Sequence, residues 1–295
     1  MVLWLLCRRR RAVAGKCCAF GAGYQPTDTS GVSKDFFDTA ELALNAPQDT
    51  AWGNFGYWNE AEEFADAGAD LARIVADAIE LGADDHLLDL GFGMGEQLRL
   101  WHREYALTRL TGLNPSRSQV EFAQSRLPAA DYKLHCLGAE ALAQVEISPP
   151  LSKALALDCA YHFPQREQVF AEVARRLPSG GLFGWTDLYL PPRELTMGRR
   201  AKLTAICATA KIPRENLVAL DDYSAMLERA GLELVEQDDL SDAVLAPFAL
   251  WWRCSEVQHR LSRRHRLKYD LTAQVVESAA MDDLFRYGLF VARRP

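Results

Sequence analysis

What the 295-residue chain lacks narrows it first. It has no excess of positive charge: 33 lysines and arginines face 40 aspartates and glutamates, for a net charge of -7. Proteins that grip nucleic acid take most of their affinity from neutralised phosphates, so an acidic chain is expected to act on a small molecule and not on nucleic acid. It has no CxxC pair. Its cysteines (Cys7, Cys17, Cys18, Cys136, Cys159, Cys207 and Cys254) are odd in number and scattered. That pattern supports neither a zinc site nor a disulfide framework, so no metal is expected. It suits a reducing, cytoplasmic setting. Cys136 and Cys159 fall in apolar, strand-like runs and read as core thiols. No apolar run reaches membrane-spanning length, and repeats and low-complexity tracts are missing. What remains is ordinary globular composition, 49% apolar and 25% charged, which fits one large domain with insertions.

No acidic residue precedes Asp28. Val2 to Leu6 are apolar and Arg8 to Arg11 follow, the reverse of the order in a secretory signal. Residues 1–33 read as a tail. Three explanations compete for it: a loose end or upstream start, a transit peptide carried by residues 1–27, and a membrane contact through Trp4, the arginines and a lipidated cysteine.

From residue 34 on the pattern is that of a single domain. Phe64, Ala67, Leu71, Ile74, Val75, Ala78 and Ile79 recur at helical spacing, with Gly82 placed to cap that helix. Short apolar runs then alternate with helical ones. Strands are expected at residues 86–90, 109–113, 132–137, 153–157, 182–190, 232–240 and 287–291. Alternation of this kind means βαβ units and an α/β, Rossmann-like three-layer sandwich around a mainly parallel, seven-stranded sheet. Residues 191–220 and 241–281 break the rhythm. Both look helical and are expected to insert after strands five and six as lid-like walls over a pocket.

The most informative segment is Asp89-Leu90-Gly91-Phe92-Gly93-Met94-Gly95-Glu96-Gln97. A strand ends and a turn follows with glycine at every second position, which allows positive φ and close approach of a ligand to the backbone. The helix after it would offer its first amides to that ligand, and ligands bind at the carboxyl ends of such strands. A dinucleotide fingerprint wants its third glycine one residue later. Glu96 stands there instead, and it would repel a pyrophosphate.

This D-x-G-x-G-x-G turn resembles the first motif of class I S-adenosylmethionine (SAM)-dependent methyltransferases, in their small-molecule and lipid branch. The cofactor carries a sulfonium and an ammonium and no phosphate, so nearby carboxylates suit it. The resemblance implies a cofactor site made by Asp89, Gly91, Gly93, Gly95 and Gln97. It also implies Asn114 at the ribose hydroxyls, where an acid is usual, and Ala139 and Glu140 beside the adenine. Asp158, at the end of strand four, would flank the methyl group. Asn54-Phe55-Gly56-Tyr57-Trp58 resembles the N-x-G-Y-W segment that folds over the cofactor in such enzymes, with residues 34–82 as the covering region and Tyr57 at the cofactor's carboxylate end. A plain aromatic cluster at a helix start is the competing explanation.

Methyl transfer to a hydroxyl also needs a proton removed, and histidine suits that task near neutral pH. His162 is expected as general base, assisted by Asp187 late in strand five. The bland alternative has His162 closing a loop and Asp187 bonding backbone. The leading function is methyl transfer to O or N of a small molecule. A lipid or sterol C-methyltransferase, a SAM-binding protein without catalysis, a macromolecule methyltransferase and a dinucleotide oxidoreductase are the rivals. Asp158-Cys159-Ala160-Tyr161 lacks the paired prolines of base-methylating enzymes. Trp251 and Trp252 read either as lid core or as pocket lining. The basic run from His259 to Lys268 reads as a solvated helix face or as a surface for an anionic substrate.

Overall fold

A computed structural model describes residues 38–46, 48–127, 129–192 and 194–295. These belong to one compact unit, Phe37–Pro295. The tail of residues 1–33, with its arginine run, lies outside the described residues.

Seven strands form one sheet. They are β1 (His86–Leu90), β2 (Arg109–Leu113), β3 (Asp131–His135), β4 (Lys153–Ala156), β5 (Leu182–Tyr189), β6 (Glu233–Asp239) and β7 (Arg286–Arg293). Their order is β3-β2-β1-β4-β5-β7-β6. All neighbours pair in parallel except β7, which runs antiparallel to both β5 and β6. All seven expected strands are present, with ends shifted by no more than two residues.

The three layers follow from side-chain alternation. In β1 every residue is buried, yet Leu87 joins one core layer and Leu88 and Leu90 the other. The first layer holds α1 (Phe64–Ala78) and α2 (Glu96–Tyr105); the second holds α4 (Arg166–Arg176) and α6 (Leu220–Arg229). Between them in sequence come α3 (Arg117–Ser125), capped by the Ser116 side chain at the Gln119 amide, and α5 (Met197–Ala210) in the first insertion. The end of α1 corrects one expectation. The helix stops at Ala78 and Glu80 takes the left-handed conformation. Gly82 lies beyond it, its amide donating to Asp85.

The second insertion forms α7 (Ser241–Cys254) and α8 (Arg263–Asp282), which pack on each other. Trp251 stacks on Phe64 with ring centres 4.9 Å apart, and the buried Trp252 donates to Asp270 at 3.0 Å. Both tryptophans are core. Lys202 on α5 pairs with Asp282 at 2.7 Å, so the two insertions meet. Among the described residues no helix is long and apolar enough to cross a membrane. The cysteine reading needs two corrections: Cys136 is exposed and Cys159 only partly buried, and Cys254 is disulfide-bonded.

Candidate active site

The glycine turn leaves β1 at its carboxyl end and enters α2 directly. Gly91 has φ +81°, and its amide donates to the Leu113 carbonyl of β2 at 2.7 Å. A side-chain carbon there would lie 2.6 Å from Cys159 Sγ. The turn is therefore sealed against the segment after β4 by the lack of a side chain. Gly93 is different. A carbon built on it meets no atom within 4 Å, so the chain there borders open space. The gap lies where a ligand would meet the amides at the start of α2.

Asp89 does not face that gap. Its side chain is fully buried on the α2 side of the sheet. Gln97 Nε2 donates to both its oxygens, at 2.9 and 3.0 Å, and Trp101 Nε1 donates at 2.9 Å. Burial raises its pKa to about 6 against those donors. The geometry of Asp89 and Gln97 is that of a brace: it ties β1 to α2 and so fixes the turn between them. Glu96 is likewise engaged, 3.2 Å from Arg99 and 3.8 Å from Arg126. Its neutralised charge removes the repulsion argued above against a pyrophosphate, and the spacing of the third glycine carries that argument alone.

Around the gap lie other expected residues. The Asn114 amide nitrogen reaches Gln119 Oε1 at 3.0 Å and the Gly93 carbonyl at 3.4 Å. Ala139 is buried at the start of a 3-10 turn, Ala139–Gln144, and the exposed Glu140 folds its carboxylate over Gly138. Asn54 braces the aromatic segment, accepting from the Gly56 amide at 3.0 Å and donating to the Gly68 carbonyl at 3.0 Å. Tyr57 is half-buried, its amide bonded to the Ala67 carbonyl at 2.8 Å.

Asp158 joins three parts of the fold. One oxygen accepts the Phe55 amide of the aromatic segment at 2.8 Å. The other accepts the hydroxyls of Tyr161 and of Tyr287 on β7, each at 2.8 Å. Burial, with Asp158 adding to it, holds both tyrosines well above their usual pKa, so both remain donors. Tyr161, Tyr287 and Thr186, which accepts the Asp158 amide, were not singled out from sequence. Tyr161 stood inside the quoted segment, whereas Tyr287 lies 129 residues from Asp158 and carried no local signal.

His162 and Asp187 do not form the expected pair. Asp187 is fully buried and bound to Arg166 at 2.5 Å, to the Tyr223 hydroxyl and to the Leu188 amide at 2.7 Å. Its partners are thus a buried guanidinium and a phenol from α4 and α6. His162 sits in a 3-10 turn, Ala160–His162, with its ring 4.5 Å from that of Tyr161. Its Nδ1 is 3.3 Å from the Lys211 carbonyl. A carbonyl only accepts, so Nδ1 carries the proton and Nε2 the lone pair. Burial lowers its pKa to about 4. Asn216 was also missed: it is buried and donates to the carbonyls of both Tyr161 and Phe163, at 3.0 and 2.9 Å, clasping the turn that holds His162.

The methyltransferase-domain family matches residues 88–184, from β1 into β5. Methyltransferase GfsG of Streptomyces halstedii is 27% identical over 213 residues, 70% of this chain and 75% of that one. The 27-O-demethylrifamycin SV methyltransferase of Amycolatopsis mediterranei is 27% identical over 259 residues, 84% of this chain and 92% of its own. The chain is a SAM-dependent methyltransferase. The cyclopropane synthase MmaA2 of Mycobacterium tuberculosis shares the fold, with a TM-score of 0.72 at 18% identity over 88% of this chain and 94% of that one. The residues of this methyltransferase fit its cofactor on their own terms. Open space at Gly93, helix amides, a neutral amide at Asn114 and a carboxylate at Asp158 suit a ligand that carries a sulfonium. Among the described residues no group of side chains is arranged to hold a metal ion.

Proposed function

We propose that the methyltransferase methylates a hydroxyl oxygen of a small, multifunctional organic acceptor, with His162 taking the hydroxyl proton. The state of His162 carries this reading. The Lys211 carbonyl selects the tautomer whose Nε2 accepts a proton, and burial, which lowers the pKa to about 4, keeps the ring neutral while making it a weaker base than an exposed imidazole. Asn216 fixes the turn so that the ring is placed before the acceptor arrives. The relative named as a 27-O-demethylrifamycin SV methyltransferase supports an oxygen acceptor.

When bound, SAM supplies an electrophilic methyl on its sulfonium. In this reading Gly93 lets the backbone approach it, Gly91 and Gly95 close the turn against Cys159 and Ala123, and Asp89 and Gln97 hold that backbone in place. Asn114 meets the ribose hydroxyls. Ala139 and Glu140 border the adenine. Asp158 brings the N-x-G-Y-W segment down at Phe55, so that Tyr57 closes over the carboxylate end and water is kept from the methyl group. Asp187 acts at one remove, holding α4 and α6 to β5 beneath the acceptor side. The cysteines do not carry a cytoplasmic location: the exposed free thiol of Cys136 suits a reducing compartment and the disulfide at Cys254 an oxidising one.

The test is single-turnover kinetics of His162→Ala, reading S-adenosylhomocysteine release with a hydroxylated macrolide-type acceptor chosen by screening. Loss of about 10²- to 10⁴-fold in rate with unchanged SAM affinity is expected of a general base. An unchanged rate would remove the base and point to a nucleophile that needs none, a thiol or neutral amine.

A further inference from the structure

A cavity of about 790 Å³ opens at the edge of the sheet where β5 and β6 end and the antiparallel β7 begins. The sheet order puts it beyond β4, on the far side from the glycine turn. Its size lies within the usual range for small-molecule sites, about 300–1,000 Å³. Its apolar wall is built from Tyr189, Pro191, Leu203 and Leu217. Charged groups of both signs also line it: Arg200, Arg214, Glu194 and Asp221, together with Arg286 and Asp239.

These charges fall into two groups. Arg286 is bound to Asp239 and Asp283, each at 3.1 Å, and is a fixed part of the wall. Arg200 uses only its Nε, at the Leu195 carbonyl. Arg214, Glu194 and Asp221 are exposed, and no hydrogen bond or ion pair engages their side chains among the described residues. Two guanidinium groups and two carboxylates therefore surround an apolar wall with donor and acceptor capacity to spare.

A simple anion would meet the carboxylates, and a simple cation the arginines. A purely apolar ligand would leave the hydrogen-bonding capacity of all four charged groups unused. A ring with an apolar face and several hydroxyls satisfies both features. Each hydroxyl donates to a carboxylate or accepts from a guanidinium, and the C–H face covers Tyr189 and the leucines. We propose that this cavity is a second small-molecule site, for a glycoside or similar polyhydroxylated ring. It goes beyond the methyl-transfer reading and does not depend on it.

The site shares walls with the catalytic edge. Arg214 and Leu217 line the cavity and flank Asn216, which clasps the His162 turn. Tyr189 lies three residues beyond Thr186, the partner of the Asp158 amide, or roughly 10 Å along β5. An occupant would therefore rest against the segment that places His162.

The experiment is calorimetric titration of the full-length protein with octyl β-D-glucopyranoside below its micelle-forming concentration. 1-Octanol serves as the apolar control, and SAM is titrated in parallel. Single-site binding of the glycoside is expected, with little or none of the alcohol. The double variant Arg214→Ala, Asp221→Ala should weaken it by at least about tenfold, the weight of one or two charge-assisted hydrogen bonds. Arg117→Ala, exposed on α3 and away from the cavity, should leave it unchanged. Absence of glycoside binding, equal affinity for octanol, or a double variant that binds as well as the parent would overturn the proposal. SAM binding without glycoside binding removes this site and spares the methyl-transfer reading; the reverse result does the opposite.

Discussion

One half of the sheet, β3-β2-β1-β4, carries the glycine turn, and the other, β5-β7-β6, carries the insertions. The two are built by different rules. The family match runs from β1 and stops inside β5, so it covers most of the first half and little of the second. In the first half the key geometry is local: three glycines within five residues, and a carboxylate braced by groups 8 and 12 positions further on. In the second half the key contacts span the chain. Asp187 meets Tyr223 across 36 residues, His162 meets Lys211 across 49, and Asp158 meets Tyr287 across 129. The glycine turn is written within one βα unit, while the second half is assembled from parts brought from far apart.

The largest expected effect breaks the second half at its base. Arg166 is almost fully buried against Asp187, and its guanidinium lies 4.7 Å from the centre of the Tyr223 ring. Asp187→Ala leaves that charge without its partner and should cost about 3–5 kcal/mol of stability. Thermal unfolding measures it. A loss below about 1 kcal/mol would mean that water reaches Arg166 and that the pair does not hold α4 and α6 to β5. The matching change in the first half is Gly91→Ala. The added carbon meets Cys159 Sγ in a left-handed backbone that disfavours it. About 2–3 kcal/mol of destabilisation is expected, with SAM affinity lowered at least about tenfold. If SAM bound the variant normally, the seal between turn and β4 would have no part in cofactor binding.

A smaller effect tests the brace. Trp101→Phe keeps the ring in the core and removes one of the donors to Asp89. Losing a hydrogen bond to a buried carboxylate should cost about 1.5–3 kcal/mol. Gln97→Leu should do the same and also lower SAM affinity, because Gln97 lies in the first turn of α2 beside the glycines. If stability fell in both variants and SAM affinity in neither, the brace would serve the fold alone.

The same contrast explains what could be read from sequence. The strands were legible because a parallel sheet covered on both faces needs short, continuous apolar runs, and 154–157 and 182–185 are such runs. Gly91, Gly93 and Gly95 were legible because a turn with positive φ at three alternate positions admits little else. Asp89 was found for its place in the motif, but not the fact that it faces the helix, since the donors that turn it inward are recognised only in three dimensions. The His162–Asp187 pairing failed for the same reason. Adjacent strands brought the two near each other in topology, yet a buried guanidinium from α4 had a stronger claim on the carboxylate. Asn216, Lys211 and Tyr287 carry no local signal, being ordinary residues made important by distant partners.

The smallest net effect is a cancellation, and it joins the two halves through proton linkage. In the second half, His162 titrates at about 4 when folded, against 6.5 for the free side chain. Between those values the unfolded chain binds the proton and the folded one does not, so stability falls as pH drops. In the first half, Asp89 titrates at about 6 when folded, against 3.8. Over that range the folded chain binds the extra proton, so stability rises as pH drops. Each shift is worth on the order of 3 kcal/mol, and the signs oppose. From pH 6.5 to 4.5 the contributions of these two groups should therefore largely cancel, while His86, also lowered by burial, adds a loss of stability as pH drops. Glu104, held down near 2 by Arg73, begins to matter only below that window. Removing one side exposes the other. His162→Gln should become more stable as pH falls through this range, and Asp89→Asn less stable, by about 2 kcal/mol each. Denaturant unfolding at pH 6.5, 5.5 and 4.5 reads the slopes. Parallel slopes in the two variants would show that at least one of these groups titrates as it does in water, and that the half of the site containing it is wetter than the fold implies.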